Sequence, residues 1–486
     1  MKKALYIILA LCLLLTLAAC GGGSGAGSGT GNGISSKHKH CVCNGKAVSV
    51  GSHSSCSNSD GWKEVGTADA LIDAIASSST ANPAYVALTA DITIDSYLQV
   101  ELGQKAFVCL NGKTLTAATR VIGELNITDC AETGTLTSDK NFTIRSYAGA
   151  IINMYAGTIT TTGSKEDTQI VTLQGPADED LGLDEGDSVF TLYGGTIKGF
   201  GKTTKMGHCV YMGSYGVMRM YNGTICDGYV ETADNGNRYG GNIAVYGANS
   251  LFTMYGGEVK NGNVVVPGQT DSKGGSGGNI FANKGGVCIL GGTVSGGHTN
   301  GYGGNVGTNG SASVMEFKDC VIKDGKCDGQ NGGNIYINGA AIVANFENVT
   351  ISGGTSATLG ANVFLNSLTS ATFKDCTIKD GKITAPAALT KTGGSGICIQ
   401  GKEFLVELKG DMKFENNQQS DIMTRYYNGT CSWLSIAELT STSPIVVAAS
   451  KKIELSIDTL ANHPLTAIEG MVITEEGGKL VIDVAG

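Results

Sequence analysis

Short runs of alternating apolar and polar residues recur along most of this chain, punctuated by glycine. One set follows a Gly-Gly-Asn step or a variant of it: GHCVYMGS at Gly207, GGNIAVYG at Gly240, GGNIFANK at Gly277, GGNVGTNG at Gly303, GGNIYING at Gly332, GANVFLNS at Gly360 and GSGICIQG at Gly394. A second set reads MYAGTI at Met154, LYGGTI at Leu192, MYNGTI at Met220, MYGGEV at Met254, ILGGTV at Ile289, FKDCVI at Phe317, FENVTI at Phe346 and FKDCTI at Phe373. A period of two predicts half-buried strands, with Ile243 and Val245, or Phe252 and Met254, on the apolar side. The closing residues of the second set recur at intervals between 27 (Ile351 to Ile378) and 38 (Ile159 to Ile197) residues. Two or three short strands per unit of that length predict an all-β solenoid, a parallel β-helix rather than a propeller.

A single coil cannot bury its apolar face. Coils stacked about 4.8 Å apart can, and they place like residues above like. Asn242, Asn279, Asn305, Asn334 and Asn362 then form one column, in which each amide donates and accepts along the axis. Gly-Gly-Asn is therefore a tight turn followed by one rung of a structural ladder. Ile243, Ile280, Val306, Ile335, Val363 and Ile397 follow as a buried column. In this reading His208 takes the asparagine position of its coil, and Cys209 replaces an inward isoleucine. Lys318, Glu347 and Lys374 share an outer position with alternating sign, which favours cross-strand pairing.

The ends depart from the repeat. WKEVGTADALIDAIASSS, from Trp62, predicts a short helix with Thr67 as N-cap and Leu71, Ile72 and Ile75 on one face. Such a helix would cover the open end of the first coil, where strand edges and core would otherwise be exposed. Beyond Ser441, PIVVAA, KIELSI and KLVIDVA predict a small β-rich C-terminal cap.

The N-terminus adds a compartment. Lys2 and Lys3 precede an apolar run from Ala4 to Leu17 that ends Leu-Ala-Ala-Cys at Cys20. A short basic region, an apolar core and small residues at the cut describe a secretory signal. The LAAC ending resembles the lipobox of bacterial lipoproteins, which implies cleavage before Cys20 and lipid on that residue. GGGSGAGSGTGNG, from Gly21, has the composition of a flexible tether. The expected organisation is a signal peptide over 1–19, a tether over 20–36, a His/Cys-rich knuckle over 37–61, the helical region over 62–83, the β-helix over 84–440 and the cap over 441–486. The net charge of −9 argues against nucleic acid and anionic lipid as partners. The membrane enters only through the N-terminal lipid, and the chain is expected to be a monomer facing the outside of the cell.

Taken together, these repeats resemble the right-handed parallel β-helix (pectin-lyase-like) surface proteins of bacteria. The alternation of GGN-I with F-x-x-[CNV] is similar to the paired GGA-I and F-x-x-N repeats of chlamydial polymorphic outer-membrane proteins. Asn replaces Ala here, and the Phe motif occurs in three coils. The resemblance covers roughly Trp62 to Ser441. It implies a right-handed solenoid, and it says little of function, because one fold hosts lyases, hydrolases and adhesins.

Candidate chemistry is sparse. No column of carboxylates suited to acid–base work is legible on the repeats. The acidic stretch DEDLGLDEGD, from Asp178, reads as a solvated loop. In HKHCVCNGKAVSVGSHSSC, from His38, Cys41, Cys43, His53 and Cys56 supply ligands in the number a tetrahedral structural Zn²⁺ needs. A disulfide, or an unstructured tether, remains the other reading. The remaining cysteines read as small buried apolar residues. Loop length varies at one point of the coil, just before Gly-Gly-Asn, so the insertions must emerge along one edge, and such edges are often the binding face. Asp234, Arg238, Tyr239, Asp271, Lys273 and Tyr302 are the ligand-binding candidates there. The expected function is a non-enzymatic surface lipoprotein that contacts a glycan or host surface. The alternative is a surface polysaccharide lyase or hydrolase.

Overall fold

The computed structural model describes residues 42–43, 46–47, 62–234, 236–269, 273–310, 314–385, 394–401, 404–425, 432–441, 443–455 and 464–484. All lie in one compact unit, Lys39–Gly486. Val42–Cys43 and Lys46–Ala47 form a two-stranded antiparallel pair.

From Lys63 onward the chain is nearly all parallel β, as expected of a β-helix. One coil is enough to show the path: Ile280–Ala282, Gly286–Ile289, Thr293–Ser295 and His298–Thr299, then Val306–Thr308 of the next coil. Each strand pairs with its counterpart in the neighbouring coils, so each position on the coil generates a ladder. The first ladder runs from Ile144–Ser146 through Ile243–Val245 and Ile335–Asn338 to Ser420–Thr424. The second is a 14-stranded sheet from Lys63–Val65 to Trp433–Leu439. The third runs from Thr135–Thr137 to Lys413–Glu415. The fourth holds six short strands, Tyr229–Glu231 to Lys382–Ile383. The first and third ladders meet at Thr114–Val121, whose early residues pair with Thr135–Thr137 and whose late residues pair with Ile144–Ser146.

The apolar side of the solenoid strands turns inward. Ile243, Ile280, Val306, Ile335, Val363 and Ile397 are consecutive register partners and are fully buried. Phe317, Phe346 and Phe373 stack as a second column, with ring centroids 4.7 and 4.3 Å apart. A helix, α1, spans Ala68–Ala76. Thr67 caps it by accepting the amide of Ala70, and Leu71, Ala74 and Ile75 are buried. Leu71 and Ile75 join the core cluster that holds Val86 and Leu88.

Parallel pairing does not stop at residue 441. Ile445–Ala449 pairs with Ser420–Thr424, and Leu465–Ala467 pairs with Ile445–Ala449. Only then does the pattern change, to a three-stranded sheet of Ile453–Glu454, Lys479–Val484 and Met471–Glu476 with antiparallel pairs.

Candidate functional site

The asparagines of the Gly-Gly-Asn steps lie inside the first ladder, each 0% exposed. Asn242 donates from Nδ2 to Oδ1 of Asn279 at 2.7 Å, and the pattern repeats from Asn279 to Asn305 (2.7 Å), Asn305 to Asn334 (2.7 Å) and Asn334 to Asn362 (2.8 Å). Asn362 passes it on to Asn417 at 3.2 Å. The second Nδ2 hydrogen of each goes to a carbonyl, of Lys260, Ser295, Lys323, Ser352 and Lys379 in turn. Each Oδ1 also accepts a glycine amide, from Gly228, Gly262, Gly297, Gly325, Gly354 and, for Asn417, Gly381. A side chain at Gly262 would press its Cβ to 2.2 Å from a carbonyl oxygen and 2.8 Å from Asn279 Oδ1, so only glycine fits beside a rung. This column of glycines is a sequence signal that the reading of the repeats missed.

The register at the start of the column differs from the expected one by a residue. Val210 pairs with Ile243, so Cys209, not His208, stands level with Asn242. The Cys209 thiol lies 3.3 Å from the carbonyl of Cys226 and 3.4 Å from Asn242 Oδ1, imitating an asparagine rung. His208 instead aligns with Gly241. Its Nδ1 accepts the amide of Tyr229, while Nε2 is buried without a partner. Burial pushes its pKa down from 6.5 to about 4.

The outer face of the same ladder carries a different row: Tyr211, Ala244, Phe281, Gly307, Tyr336, Phe364 and Cys398. The insertions that precede Gly-Gly-Asn fold over this row. Tyr239, Ser276 and Tyr302 bridge one another as parallel single-residue pairs. Tyr239 stacks on Phe281 at 4.1 Å, Tyr302 lies 4.4 Å from Tyr336, and Tyr336 stacks on Phe364 at 5.6 Å. Ser276 drops toward the gap left by Gly307, where a Cβ would come within 2.3 Å of its hydroxyl. Asn300 fixes the longest insertion: Nδ2 donates to the carbonyls of Val266 and Gln269, and Oδ1 accepts the amides of Val266 and Gly275.

Between these elements lies a half-open cleft of about 200 Å³, lined by Arg238, Tyr239, Ser276, Tyr302, Tyr336 and Asn338, with Gly274, Thr308 and Asn309 completing it. Nε and Nη1 of Arg238 and the hydroxyl of Ser276 are buried there with no hydrogen-bond partner. Asn338 is held on both sides, accepting from Asn366 at 2.9 Å and donating to Asn309 at 3.4 Å. The lining mixes aromatic rings, amides, hydroxyls and one guanidinium, and holds no carboxylate. Burial raises the Tyr336 hydroxyl well above its ordinary pKa, so it remains a neutral donor. At this volume, below the ~300–1,000 Å³ of sites that enclose a whole small molecule, the cleft suits one ring or group of a larger ligand.

Three of the six ligand-binding candidates, Arg238, Tyr239 and Tyr302, meet in this cleft. Asp234 does not join them. Its carboxylate accepts the amide of Gly236 at 2.8 Å and the side chain of Asn237 at 2.6 Å, which hold its pKa low and fix its own turn. Lys273 precedes Gly274 but is not in the lining, and Asp271 lies outside the described residues. Cys20, Cys41, His53 and Cys56 also lie outside them, while Cys43 falls in the strand Val42–Cys43. The sequence reading missed Ser276, Tyr336 and Asn338, whose relevance depends on which loop lies over which strand. It also treated all the later cysteines alike. Cys109 and Cys130 have their sulfurs 3.6 Å apart, packed with Ala87 and against Trp62.

No family model matches the chain, and neither a curated protein nor a solved structure gives a significant match to it.

Proposed function

We propose that this is a non-enzymatic, lipid-anchored cell-surface protein whose right-handed β-helix offers the Arg238–Tyr336 cleft to an acidic glycan. The observation that carries this reading is the unsatisfied donor set at the cleft. Two buried nitrogens of Arg238 and the Ser276 hydroxyl lack partners beside three tyrosine rings. Leaving buried donors unpaired costs stability, about 1–3 kcal/mol each. Such a cost is expected where a ligand completes the bonding. Tyrosine faces and edges pack on sugar rings, amides and hydroxyls match sugar hydroxyls, and a guanidinium matches a carboxylate or sulfate. The lining supplies no Asp or Glu for acid–base cleavage, which supports binding over turnover.

The rest of the chain fits that role. Cys20 carries the lipid and the Gly/Ser tether lifts the solenoid from the membrane. Cys41, Cys43, His53 and Cys56 hold one structural Zn²⁺, and α1 caps the first coil. The test is binding of acidic and neutral oligosaccharides to the purified full-length protein. Acidic chains should bind, and Arg238→Gln should weaken them at least tenfold. Equal binding of neutral chains, or full binding by Arg238→Gln together with Tyr302→Ala, would place the contact elsewhere. Chain cleavage in the same assay would favour the lyase or hydrolase reading. Metal analysis under reducing conditions tests the zinc, and release of the Cys20→Ala variant from membranes tests the anchor.

A further inference from the structure

A second unsatisfied cationic group lies toward the N-terminal end of the same outer face. Arg120 and Arg145 are direct register partners in neighbouring parallel strands, which sets their backbones about 4.8 Å apart. Val121, Ile144 and Ser146 turn inward, and the two arginines turn outward between them. Arg120 lies over the ring of Tyr97 at 3.8 Å and Arg145 over that of Phe142 at 4.2 Å. The two rings are themselves stacked, 5.9 Å apart and 2° from parallel. Each guanidinium is thus held over a ring, and the rings stand beside each other.

Nothing among the described residues neutralises them. Neither arginine belongs to any of the ion pairs there. The Nε of each is buried without a hydrogen-bond partner, and so is the hydroxyl of Thr172, the next residue of the row. The row continues to Gln99 on one side and Tyr211 on the other, both neutral. Two residues to either side in sequence stand Ala118, Ile122, Thr143 and Tyr147, none of them charged. Like charges directly opposite on neighbouring strands destabilise a sheet. A chain with net charge −9 and five arginines has nonetheless placed two of them together without a counter-charge.

We propose that Arg120, Arg145 and Thr172 form a binding site for a doubly charged tetrahedral oxyanion, a sulfate or phosphate group. Two guanidiniums match two negative charges, and their planar donors suit oxyanions better than lysine would. The aromatic rings hold the donors in place before the ligand arrives, which lowers the cost of ordering them. The site is separate from the cleft. Thr172 and Tyr211 lie between Arg145 and Ala244, whose coil begins with Tyr239, a distance of three strand spacings or about 14 Å. It stands whether or not the cleft binds a glycan.

Thermal unfolding and calorimetry of the full-length protein test this with inorganic sulfate, inorganic phosphate and chloride at matched ionic strength. Sulfate or phosphate should bind saturably near one per chain and raise the unfolding temperature at low millimolar concentration, where general salting effects are small. Whichever of the two binds more tightly identifies the class of group carried by the natural ligand. Arg120→Gln with Arg145→Gln should abolish the saturable step, while Arg238→Gln should keep it. Without anion, the double variant should unfold at or above the wild-type temperature, because a repulsion has been removed. The single variant Arg145→Lys, which keeps the charge, should bind at least tenfold more weakly. An equal response to chloride, or a saturable step retained in the double variant, overturns the proposal.

Discussion

Polar groups stand inside the first ladder and on its outer side, and the two sets are built on opposite principles. Inside, every amide from Asn242 to Asn362 has its two donors and its acceptor engaged, with neighbouring rungs, a carbonyl and a glycine amide. Outside, Arg120, Arg145 and Arg238 have buried nitrogens with no partner at all. A buried polar group without a bond is costly, so proteins keep few of them, and those retained need a reason. The inner column is complete as it stands and therefore serves the fold. The outer set lacks its partners and therefore points to something that binds.

The sharpest way to break the comparison is to break the inner column. Asn334→Leu removes four hydrogen bonds at once and strands two donors, the Gly325 amide and one Nδ2 hydrogen of Asn305, while the Ser352 carbonyl keeps the Asp324 amide and Asn362 Oδ1 keeps that of Gly354. At about 1–3 kcal/mol for each stranded group, the expected loss equals or exceeds that of the neighbouring core truncation Ile335→Ala, about 2–5 kcal/mol. Urea unfolding of the two variants side by side decides it. A loss for Asn334→Leu below about 1 kcal/mol would mean that water enters the column and the amides are not a closed network.

The same column shows what the sequence disclosed and what it withheld. The period of two, the glycine punctuation and the Gly-Gly-Asn step were enough to place Ile243, Ile280 and Val306 in one inward row. The N-terminal rung was misread because the lone glycine of GHCV was matched to the second glycine of Gly-Gly-Asn, whereas Gly207 stands level with the first, Gly240. Moving one residue along a strand changes which face a side chain meets. Asn417 was missed because it closes FENN, where the repeat breaks and no Gly-Gly precedes the asparagine. The outer site was half legible. Arg238, Tyr239 and Tyr302 were marked because loop lengths vary at one point of the coil. Ser276 and Asn338 were not, because their meeting depends on the insertion folding back over Gly307, a tertiary event with no local signature. The contact of Cys109 with Cys130 escaped for the same reason, since Cys130 lies beyond the strand Glu124–Thr128 and comes back beside its neighbour.

Among the described residues, His208 is a buried titratable base without a full set of bonds. Folded, it stays neutral down to about pH 4. Unfolded, it takes a proton near its ordinary value of 6.5. The unfolded state therefore binds more protons across that interval, so stability should be full above pH 6.5, fall as the pH drops toward 4, and level off below. At about 1.4 kcal/mol per pH unit of displacement, the loss approaches about 3 kcal/mol. His208→Asn keeps an acceptor for the Tyr229 amide but cannot titrate. The difference in unfolding free energy between the two proteins, followed from pH 7 to 4, should trace this curve. A flat difference would mean that His208 takes its proton as readily in the folded protein as in the unfolded chain.

Arg238→Gln should behave in the opposite way from Asn334→Leu. Among the described residues its guanidinium makes no hydrogen bond that its removal could break, and two buried unpaired donors leave with it, so stability should hold or rise. Binding of an acidic oligosaccharide should still fall at least tenfold, about 1.4 kcal/mol. A large loss of stability with unchanged binding would turn the outer set into a second structural one and remove the contrast.

The smallest effect is expected from a polar column that is complete but exposed. Lys318, Glu347 and Lys374 are register partners, and Glu347 bridges the two lysines at 2.9 Å on each side. The lysine ammoniums hold its carboxyl below the ordinary value, Lys374 first and Lys318 second. A depressed carboxylate stabilises the fold above its unfolded pKa, and that share is lost as the pH falls through the folded value. Yet these side chains stand 38–50% exposed, and water and salt screen such pairs to about 0.2–1 kcal/mol. Glu347→Gln should therefore cost less than 1 kcal/mol in dilute buffer and almost nothing at about 1 M salt, where the screening length shrinks to about 3 Å. Glu347→Lys should cost more, because Lys374 is already in register with Lys409 and four lysines would then stand in line. That extra cost should also vanish with salt, whereas the cost of Asn334→Leu should not. Salt thus separates a column held by charge at the surface from one held by hydrogen bonds in the core. A salt-resistant loss for Glu347→Lys would show that this exposed row is packed more tightly than its exposure indicates.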